Sequence, residues 1–592
     1  MEVTRTFDIL EQLLQKYPKD DILSRKVDGK WVKYSHQEYY NYSHLMAYAF
    51  LQLGFNKGDK VIAISANRPE WNFTDMGLTL AEMVFVPVYS TLSNQDYLHI
   101  IEHSDAKAIF LGSAQLAKKI APLAAKIERE IKLFTYDKVD GYSSIDELYK
   151  LGEEADPSIK NLVEENKQLI PDSTVATIIY TSGTTGTPKG VMLSHRNLVS
   201  NFIGTANQQI RDYRHKMLSF LPLCHSYERG MNYNYQYLGI STYYAESLGT
   251  IASDLASSKA DGFCSVPRVL EMMFTKLEAA GKDLKGIKRA IYKWAFTIAT
   301  KYDYTKKGVF HKLTYWLADK LVYSKWREKL GGKEMLIVSG GSSIQAKIVR
   351  LFTAAKMYIF EGYGMTETSP VIAVNNPKEM IIKIGTVGKA IEGTELRIAD
   401  DGEILTRGPH VMLGYYKDPE YTKEIIDEEG WLHTGDIGVM EDEIFLKITD
   451  RKKEIFKLSN GKYIAPQVLE NKLKESSYIE NCMVVGENEK FASALIIPDF
   501  NRLESWAKKE KIEFSNHQEL IAEKGAIEKV NKEIEKINKG LAPHEQIKRA
   551  RLIDDEWTPL NDMLSQTLKL KRHNVYKRYH NTINEIFKHD IE

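Results

Sequence analysis

Residues 180–195 read YTSGTTGTPKGVMLSH. The apolar, β-branched run before it, 175–180, has the pattern of a buried strand, and it enters a loop of Ser, Thr and Gly that closes on Lys189. Such a loop suits polyphosphate. Gly183 and its neighbours let backbone N–H groups approach phosphate oxygens, Thr181, Ser182, Thr184 and Thr185 offer hydroxyl donors, and Lys189 adds positive charge. An ordinary flexible turn has the same composition, so the loop alone leaves both readings open. It is not a Walker A loop, because GxxxxGK[ST] fails from both Gly183 and Gly186 and Lys189 is followed by Gly190.

Two further loops lie downstream. Residues 335–338 read as a strand that enters SGGSS (339–343), followed by an amphipathic stretch with Ile344, Ile348, Val349 and Phe352 on one face. Strand, glycine loop (Gly340, Gly341) and helix outline a nucleotide site, although helix-capping serines and turn glycines give the same string. A third strand, 358–360, runs into EGYGMTETSP, which supplies Glu361, Gly362, Tyr363, Gly364, Thr366 and Glu367. The aromatic can stack on a base, and a carboxylate beside phosphates can hold Mg²⁺.

Around these loops the chain alternates strands (61–65, 83–88, 108–111) with amphipathic helices up to about residue 450, which is α/β patterning. Past Asp450 Lys and Glu dominate, with a hairpin over 483–485 and 492–497. A helix follows, whose residues Ile527, Val530, Ile534, Ile537 and Leu541 read as a core-facing stripe. The chain of 592 residues, 43% hydrophobic and 27% charged, is too long for a small stapled scaffold and too apolar for wholesale disorder. Eighty basic and eighty acidic residues give a formal net charge of zero, so a nucleic-acid partner is not expected and any polyanion site must be local. Cys224, Cys264 and Cys482 are far apart and lack metal-ligand spacing, which fits a reducing compartment. Without a signal-like N-terminus or an apolar run of about 20 residues, the expected location is cytoplasmic.

YTSGTTGTPKG, EGYGMTET, GWLHTGDIG (430–438) and DRKKEIFKLSNGKYIAP (450–466) resemble, in order, the core motifs of the adenylate-forming, AMP-binding superfamily. LPLCHSYERG (221–230), SVPRVLE (265–271) and NGKYIAPQVLE (460–470) resemble its long-chain fatty acyl-CoA synthetase branch. The resemblance implies a multidomain α/β fold: a large N-terminal domain (1–452) of sheets flanked by helices plus a β-barrel-like part, and a small mobile α+β C-terminal domain (453–592). It assigns Ser182, Thr184, Thr185 and Lys189 to the β- and γ-phosphates, and Tyr363 with Gly340 and Gly341 to adenine. The rest of the nucleotide site follows from Thr181, Gly183, Glu361, Gly362 and Gly364. Thr366 falls to the α-phosphate, Glu367 to Mg²⁺, and Asp436 and Arg451 to the ribose. Lys453 corresponds to the hinge, Lys457 and Gly461 to the thioester channel, and Lys569 to the lysine that assists adenylation. His225 lines the acyl pocket or is a hydrogen-bonded core histidine, and Arg229 stands where some relatives gate that pocket with tryptophan. Ser565, Gln566 and Thr567 replace the TPT that this branch commonly carries before the catalytic lysine.

The implied reaction joins a fatty acid to ATP, giving acyl-AMP and pyrophosphate, and then passes the acyl group to coenzyme A. Rival readings are an enzyme of the same fold that stops at acyl-AMP or loads a carrier protein, a P-loop phosphotransferase, and a non-catalytic acyl-binding protein. The second is disfavoured by the failed Walker pattern, the third by the full set of charged motif residues. Residues 302–333 add an amphipathic stretch with Phe310, Leu313, Trp316, Leu317 and Leu321 on one face. Core packing is the expectation for that face, with peripheral contact at the inner membrane face as the alternative. Whether the protein is a monomer or a homodimer is left open.

Overall fold

The computed structural model describes residues 2–182, 187–303, 308–559, 561–565 and 569–588, with the Ser182 side chain excepted. Gly183, Thr184, Thr185, Gln566 and Thr567 lie outside the described residues. The chain divides into two compact units. One is formed by 1–341, 346–396 and 406–433, the other by 342–345, 397–405 and 434–592.

The first unit is built on two sheets. One has eight strands in the spatial order Gly414–Tyr415, Pro188–Ser194, Val175–Ser182, Val84–Val88, Lys60–Ile64, Ala108–Leu111, Lys132–Thr135, Ser143–Ser144. The other has nine, with Met357–Gly364, Met335–Ser339, Gly262–Ser265, Lys216–Ser219 and Ser241–Tyr244 adjacent in its parallel middle. The central strands Val84–Val88 and Met335–Ser339 are buried at every position, as parallel strands covered on both faces must be. That is why those runs are apolar throughout in the sequence instead of alternating. The strands expected at 61–65, 83–88, 108–111, 175–180, 335–338 and 358–360 all form, with ends shifted by up to four residues.

A buried ion pair fastens the helix Ser226–Tyr237 to the helix Pro69–Leu80, and a hydrogen bond from the same arginine ties it to the first sheet. Arg229, 1% exposed, places Nη2 2.6 Å from Oδ1 of Asp75 on the helix Pro69–Leu80, and Nη1 donates to Thr177 Oγ1 at 2.6 Å. The Tyr233 hydroxyl donates to the other Asp75 oxygen at 2.5 Å. Burial disfavours the guanidinium charge, but Asp75 and Tyr233 outweigh it and hold Arg229 charged. Arg229 is therefore a structural tie between three elements.

The second unit has a three-stranded sheet, Ile479–Val485, Ser493–Pro498 and Arg549–Leu552, whose first pair is the expected hairpin. The helix Lys524–Asn538 packs Val530 and Ile534 into its core, as the stripe requires. The unit also contains most of a four-stranded sheet made by Glu395–Ile398, Glu403–Arg407, Leu432–Glu441 and Phe445–Arg451. Arg572 is no surface charge here: it pairs with Glu470 and donates to the Val484 carbonyl, both at 2.5 Å.

One expectation fails. On the helix Val309–Ala318 and the turn of π-helix after it, Asp319–Tyr323, the stripe Phe310, Leu313, Trp316, Leu317, Leu321 is exposed, while Ala318, Val322 and Tyr323 face inward. The inner face is anchored by hydrogen bonds from Tyr315 to the Ile298 carbonyl and from Tyr323 to the Ala295 carbonyl.

Replacing Asp75 by Ala should cost about 3–5 kcal/mol, because it strands the Arg229 guanidinium in the core. Urea unfolding of the variant should show a lower midpoint, and paired replacement of both residues by apolar ones should recover much of the loss.

Candidate active site

The strands Val175–Ser182 and Pro188–Ser194 form an antiparallel hairpin in which Thr181 lies opposite Lys189 and Ser182 opposite Pro188. That register sets the two ends of the Ser/Thr/Gly loop side by side. The short strand Gly414–Tyr415 adds to the free edge of the hairpin, with Gly414 opposite Met192 and Tyr415 opposite Val191. Its neighbours complete the setting of Lys189. The ammonium lies 2.8 Å from Asp418 Oδ2 and 3.6 Å from the centre of the Tyr421 ring, a carboxylate and an aromatic face together. Lys189 in turn holds the Asp418 carboxyl below the usual range. Asp418 also caps the helix Pro419–Ile425, accepting from the Tyr421 N–H at 3.2 Å, so its position is fixed twice.

The same segment reaches the turn Thr366–Thr368, which joins two strands of the other sheet. The Tyr415 hydroxyl donates to Glu367 Oε1 at 2.7 Å, and the Met412 N–H donates to the Glu367 carbonyl at 2.9 Å. Burial and then the Glu367 carboxylate push the Tyr415 phenol far up, so it remains a donor. Thr366 shares a 3.1 Å hydrogen bond with Ser226, the first residue of the helix Ser226–Tyr237. His225 caps that helix, its Nδ1 accepting from the Tyr227 N–H at 3.1 Å, which favours a structural part for this histidine. Among the described residues no group of three or more His, Cys, Asp or Glu side chains could hold a metal. A single buried carboxylate such as Glu367 fits Mg²⁺ that arrives bound to polyphosphate, because this ion takes few protein ligands and shares phosphate oxygens.

Gly340 and Gly341 follow the strand Met335–Ser339, and Gly341 has φ +85°, the left-handed region that glycine favours. At Gly340 a Cβ would come within 3.2 Å of the Tyr227 ring. Glu361, Gly362, Tyr363 and Gly364 close the strand Met357–Gly364, which turns antiparallel to Val371–Val374 with a bulge at Tyr363 and Gly364. A Cβ on Gly364 would lie 1.8 Å from the Pro370 carbonyl oxygen, so only glycine fits there.

In the second unit Asp436 and Arg451 are opposite each other in an antiparallel pair, with Nε and Oδ1 3.3 Å apart. Asp436 is buried and Arg451 exposed, the arrangement of an anchored acceptor beside an accessible donor fork. Lys453 is exposed in the turn that follows. Lys457 is exposed on a two-residue strand paired with Tyr463–Ile464, and Gly461, with φ +84°, makes the turn between them. Lys569 is half-buried and exchanges two hydrogen bonds with Ser565.

Sequence reading missed Tyr415, Asp418 and Tyr421, which sit in GYYKDPEYT (414–422). The Asp-Pro pair was a visible helix-start signal, but nothing in the string says that Asp418 reaches Lys189, 229 positions away.

Burial pushes the Glu361 carboxyl up to about 8 from 4.5, with one donor, the Gly385 N–H, at 3.3 Å. Its folded state keeps a proton that the unfolded chain loses, so stability is complete below about pH 4.5 and is lost as pH rises toward 8. Glu361→Gln should therefore leave stability near pH 4 almost unchanged and raise it by about 1–3 kcal/mol at pH 8. Denaturant midpoints at the two pH values measure this, and an equal offset at both would contradict it.

The AMP-binding enzyme family matches residues 10–416, and the AMP-binding enzyme C-terminal domain matches 453–590. The chain is 31% identical to long-chain-fatty-acid–CoA ligase FadD15 of Mycobacterium bovis over 98% of this chain and 97% of that protein. It is 30% identical to long-chain-fatty-acid–CoA ligase 1 of Homo sapiens, over 95% and 84%. In fold it is similar to the A domain of carboxylic acid reductase from Segniliparus rugosus, solved with AMP and a co-purified carboxylic acid: TM-score 0.76, 19% identity, 98% and 94% covered. Two matched domains, full-length relatives and a phosphate-type hairpin tied to a buried carboxylate converge, and the chain belongs to the AMP-binding, adenylate-forming enzyme family.

Proposed function

We propose that the protein is an AMP-forming long-chain fatty acid–CoA ligase, which activates a fatty acid with ATP to acyl-AMP and pyrophosphate and transfers the acyl group to coenzyme A. The observation that carries this reading is the single segment 412–421, which holds both Lys189 and Glu367. In the first step a carboxylate attacks the α-phosphorus of ATP, so two anions have to meet. Lys189 passes from Asp418 to the β- and γ-phosphates, with Thr181 and the loop of Ser182, Gly183, Thr184 and Thr185 supplying donors. Glu367 would hold the Mg²⁺ that arrives with ATP, and the ion would offset phosphate charge there. Thr366 donates to the α-phosphate. Tyr363, between Gly362 and Gly364, stacks on adenine beside Gly340, Gly341 and Glu361, while Asp436 and Arg451 take the ribose hydroxyls. His225 and Arg229 stand at the acyl side, Arg229 as a fixed part of the wall.

The working division falls at 452/453, giving domains 1–452 and 453–592 with Lys453 as hinge. Lys569 serves the adenylating step, where charge develops on the bridging oxygen, and Lys457 and Gly461 serve the thioester step. The enzyme is cytoplasmic and makes peripheral contact with the inner membrane face, where acids of this length partition. No helix among the described residues is long and apolar enough to cross a membrane.

Carboxylate-dependent pyrophosphate exchange across short to very long acids, repeated with coenzyme A and thioester detection, tests the reading; acetate or an amino acid as best substrate would overturn it. Lys569→Ala should lower acyl-AMP formation by orders of magnitude and spare the reaction of supplied acyl-AMP with coenzyme A. Lys571→Ala is the control, since Arg572 is structural. Glu367→Gln should weaken the Mg²⁺ dependence of exchange, and Lys189→Ala should mainly raise the KM for ATP.

A further inference from the structure

The helix Gly286–Ala299 and the helix Val309–Ala318 with its π-helical continuation Asp319–Tyr323 pack side by side through Tyr315 and Tyr323. Their outer surface inverts the usual rule for a water-facing helix. Val309 is 80% exposed, Phe310 87%, Leu313 58% and Trp316 58%, while the polar atoms of Tyr315 and Tyr323 are spent on inner hydrogen bonds. Positions 309, 310, 313, 316, 317 and 321 lie on one helical face, so these side chains form a single strip instead of scattered exposed residues. Ile287, 79% exposed at the start of the neighbouring helix, is a further bare aliphatic side chain in this helix pair.

Charge accompanies the strip. The helix Gly286–Ala299 carries Lys288, Arg289 and Lys293, all exposed, and no acidic residue. The partner helix and its continuation add exposed Lys312 and Lys320. Their one acid, Asp319, is held by Arg327 at 2.6 Å and so offsets little of the basic charge. Lys320 lies 5.4 Å from the Trp316 ring centre, which sets a cation next to an interfacial aromatic. An exposed apolar face with basic flanks matches a surface that offers hydrocarbon beneath an anionic layer. A second protein copy presents the same basic charges and would meet them with repulsion.

We infer that this helix pair docks the protein on an anionic lipid bilayer, with Phe310, Leu313 and Trp316 inserted among the acyl chains and Lys288, Arg289, Lys293 and Lys312 at the headgroups. The inference rests on the long-chain acid reading for its purpose, since that substrate collects in bilayers, but not for its geometry.

Flotation with vesicles of phosphatidylcholine and phosphatidylglycerol tests it on the full chain. The protein should float with mixed vesicles, lose binding as phosphatidylglycerol is removed, and lose binding in high salt. Phe310→Ser with Trp316→Ser, and separately Lys288→Glu with Arg289→Glu and Lys293→Glu, should each weaken binding about tenfold or more. Each variant should keep its melting temperature, because these side chains are exposed, and should keep ligase activity on a short soluble acid. Wild-type protein that stays unbound, variants that float like wild type, or a serine variant that only converts a dimer to monomers would overturn the inference. Flotation by a protein without acyl-CoA formation would count against the ligase reading and leave the docking surface standing, so the two failures are distinguishable.

Discussion

A polyphosphate site has to keep a lysine and a carboxylate close enough to serve one ligand without letting them neutralise each other. Here the segment 412–421 separates them. Lys189 is given Asp418 and the Tyr421 ring, Glu367 is given the Tyr415 hydroxyl, and the strand Gly414–Tyr415 fixes the spacing by pairing with Pro188–Ser194. Phosphate can replace Asp418 on Lys189 at small cost, since a half-exposed ion pair contributes little, while the buried Glu367 is kept charged by the Tyr415 hydroxyl until a cation arrives. Burying either one unpaired would cost several kcal/mol.

The rest of the first unit supplies the rigidity this arrangement needs. Glu367 sits in the turn Thr366–Thr368 between two strands of the nine-stranded sheet and Lys189 in a strand of the eight-stranded one, so any slippage between sheets would misplace them. The Arg229–Asp75 pair resists slippage where both sheets meet the helix Ser226–Tyr237. Asn197 and Asn201 add hydrogen bonds from the helix His195–Ala206 to the Pro409, Val411, Thr368 and Val371 carbonyls. These side chains satisfy carbonyls of the loop around Pro409 and Val411, of the turn at Thr368 and of the start of the strand Val371–Val374, and they place the two ends of the site relative to one helix.

Local chemistry was legible in the sequence, and partnership was not. The strands at 108–111 and 335–338 could be read because a fully buried parallel strand has to be apolar at every position. Gly364 and Gly341 could be marked as special because turns and close approach require glycine. Asp75, 154 positions from Arg229, carries no signal that it is the partner, and the same holds for Asp418 and Lys189. His225 could be a pocket residue or a hydrogen-bonded core histidine from the string alone, and only the structure shows that it caps a helix by accepting from the Tyr227 N–H. The stripe at 310–321 shows a further limit: periodicity identifies a face of a helix but not the medium it faces.

That last distinction has an energetic basis. A helix ordinarily buries its apolar face because removing that surface from water contributes about 25 cal/mol per Å². The pair around Phe310 gives up that gain and spends its inner hydrogen bonds on Tyr315 and Tyr323, so the exposed strip is a standing cost to the isolated chain. With a formal net charge of zero, the molecule has no overall field to draw it to an anionic surface. Only a local concentration of cations can do so, and it acts within a Debye length, about 8 Å at physiological salt. Lys288, Arg289, Lys293 and Lys312 sit on the helices that carry the bare apolar residues, so short-range attraction and hydrocarbon burial act at one place and can offset the cost together.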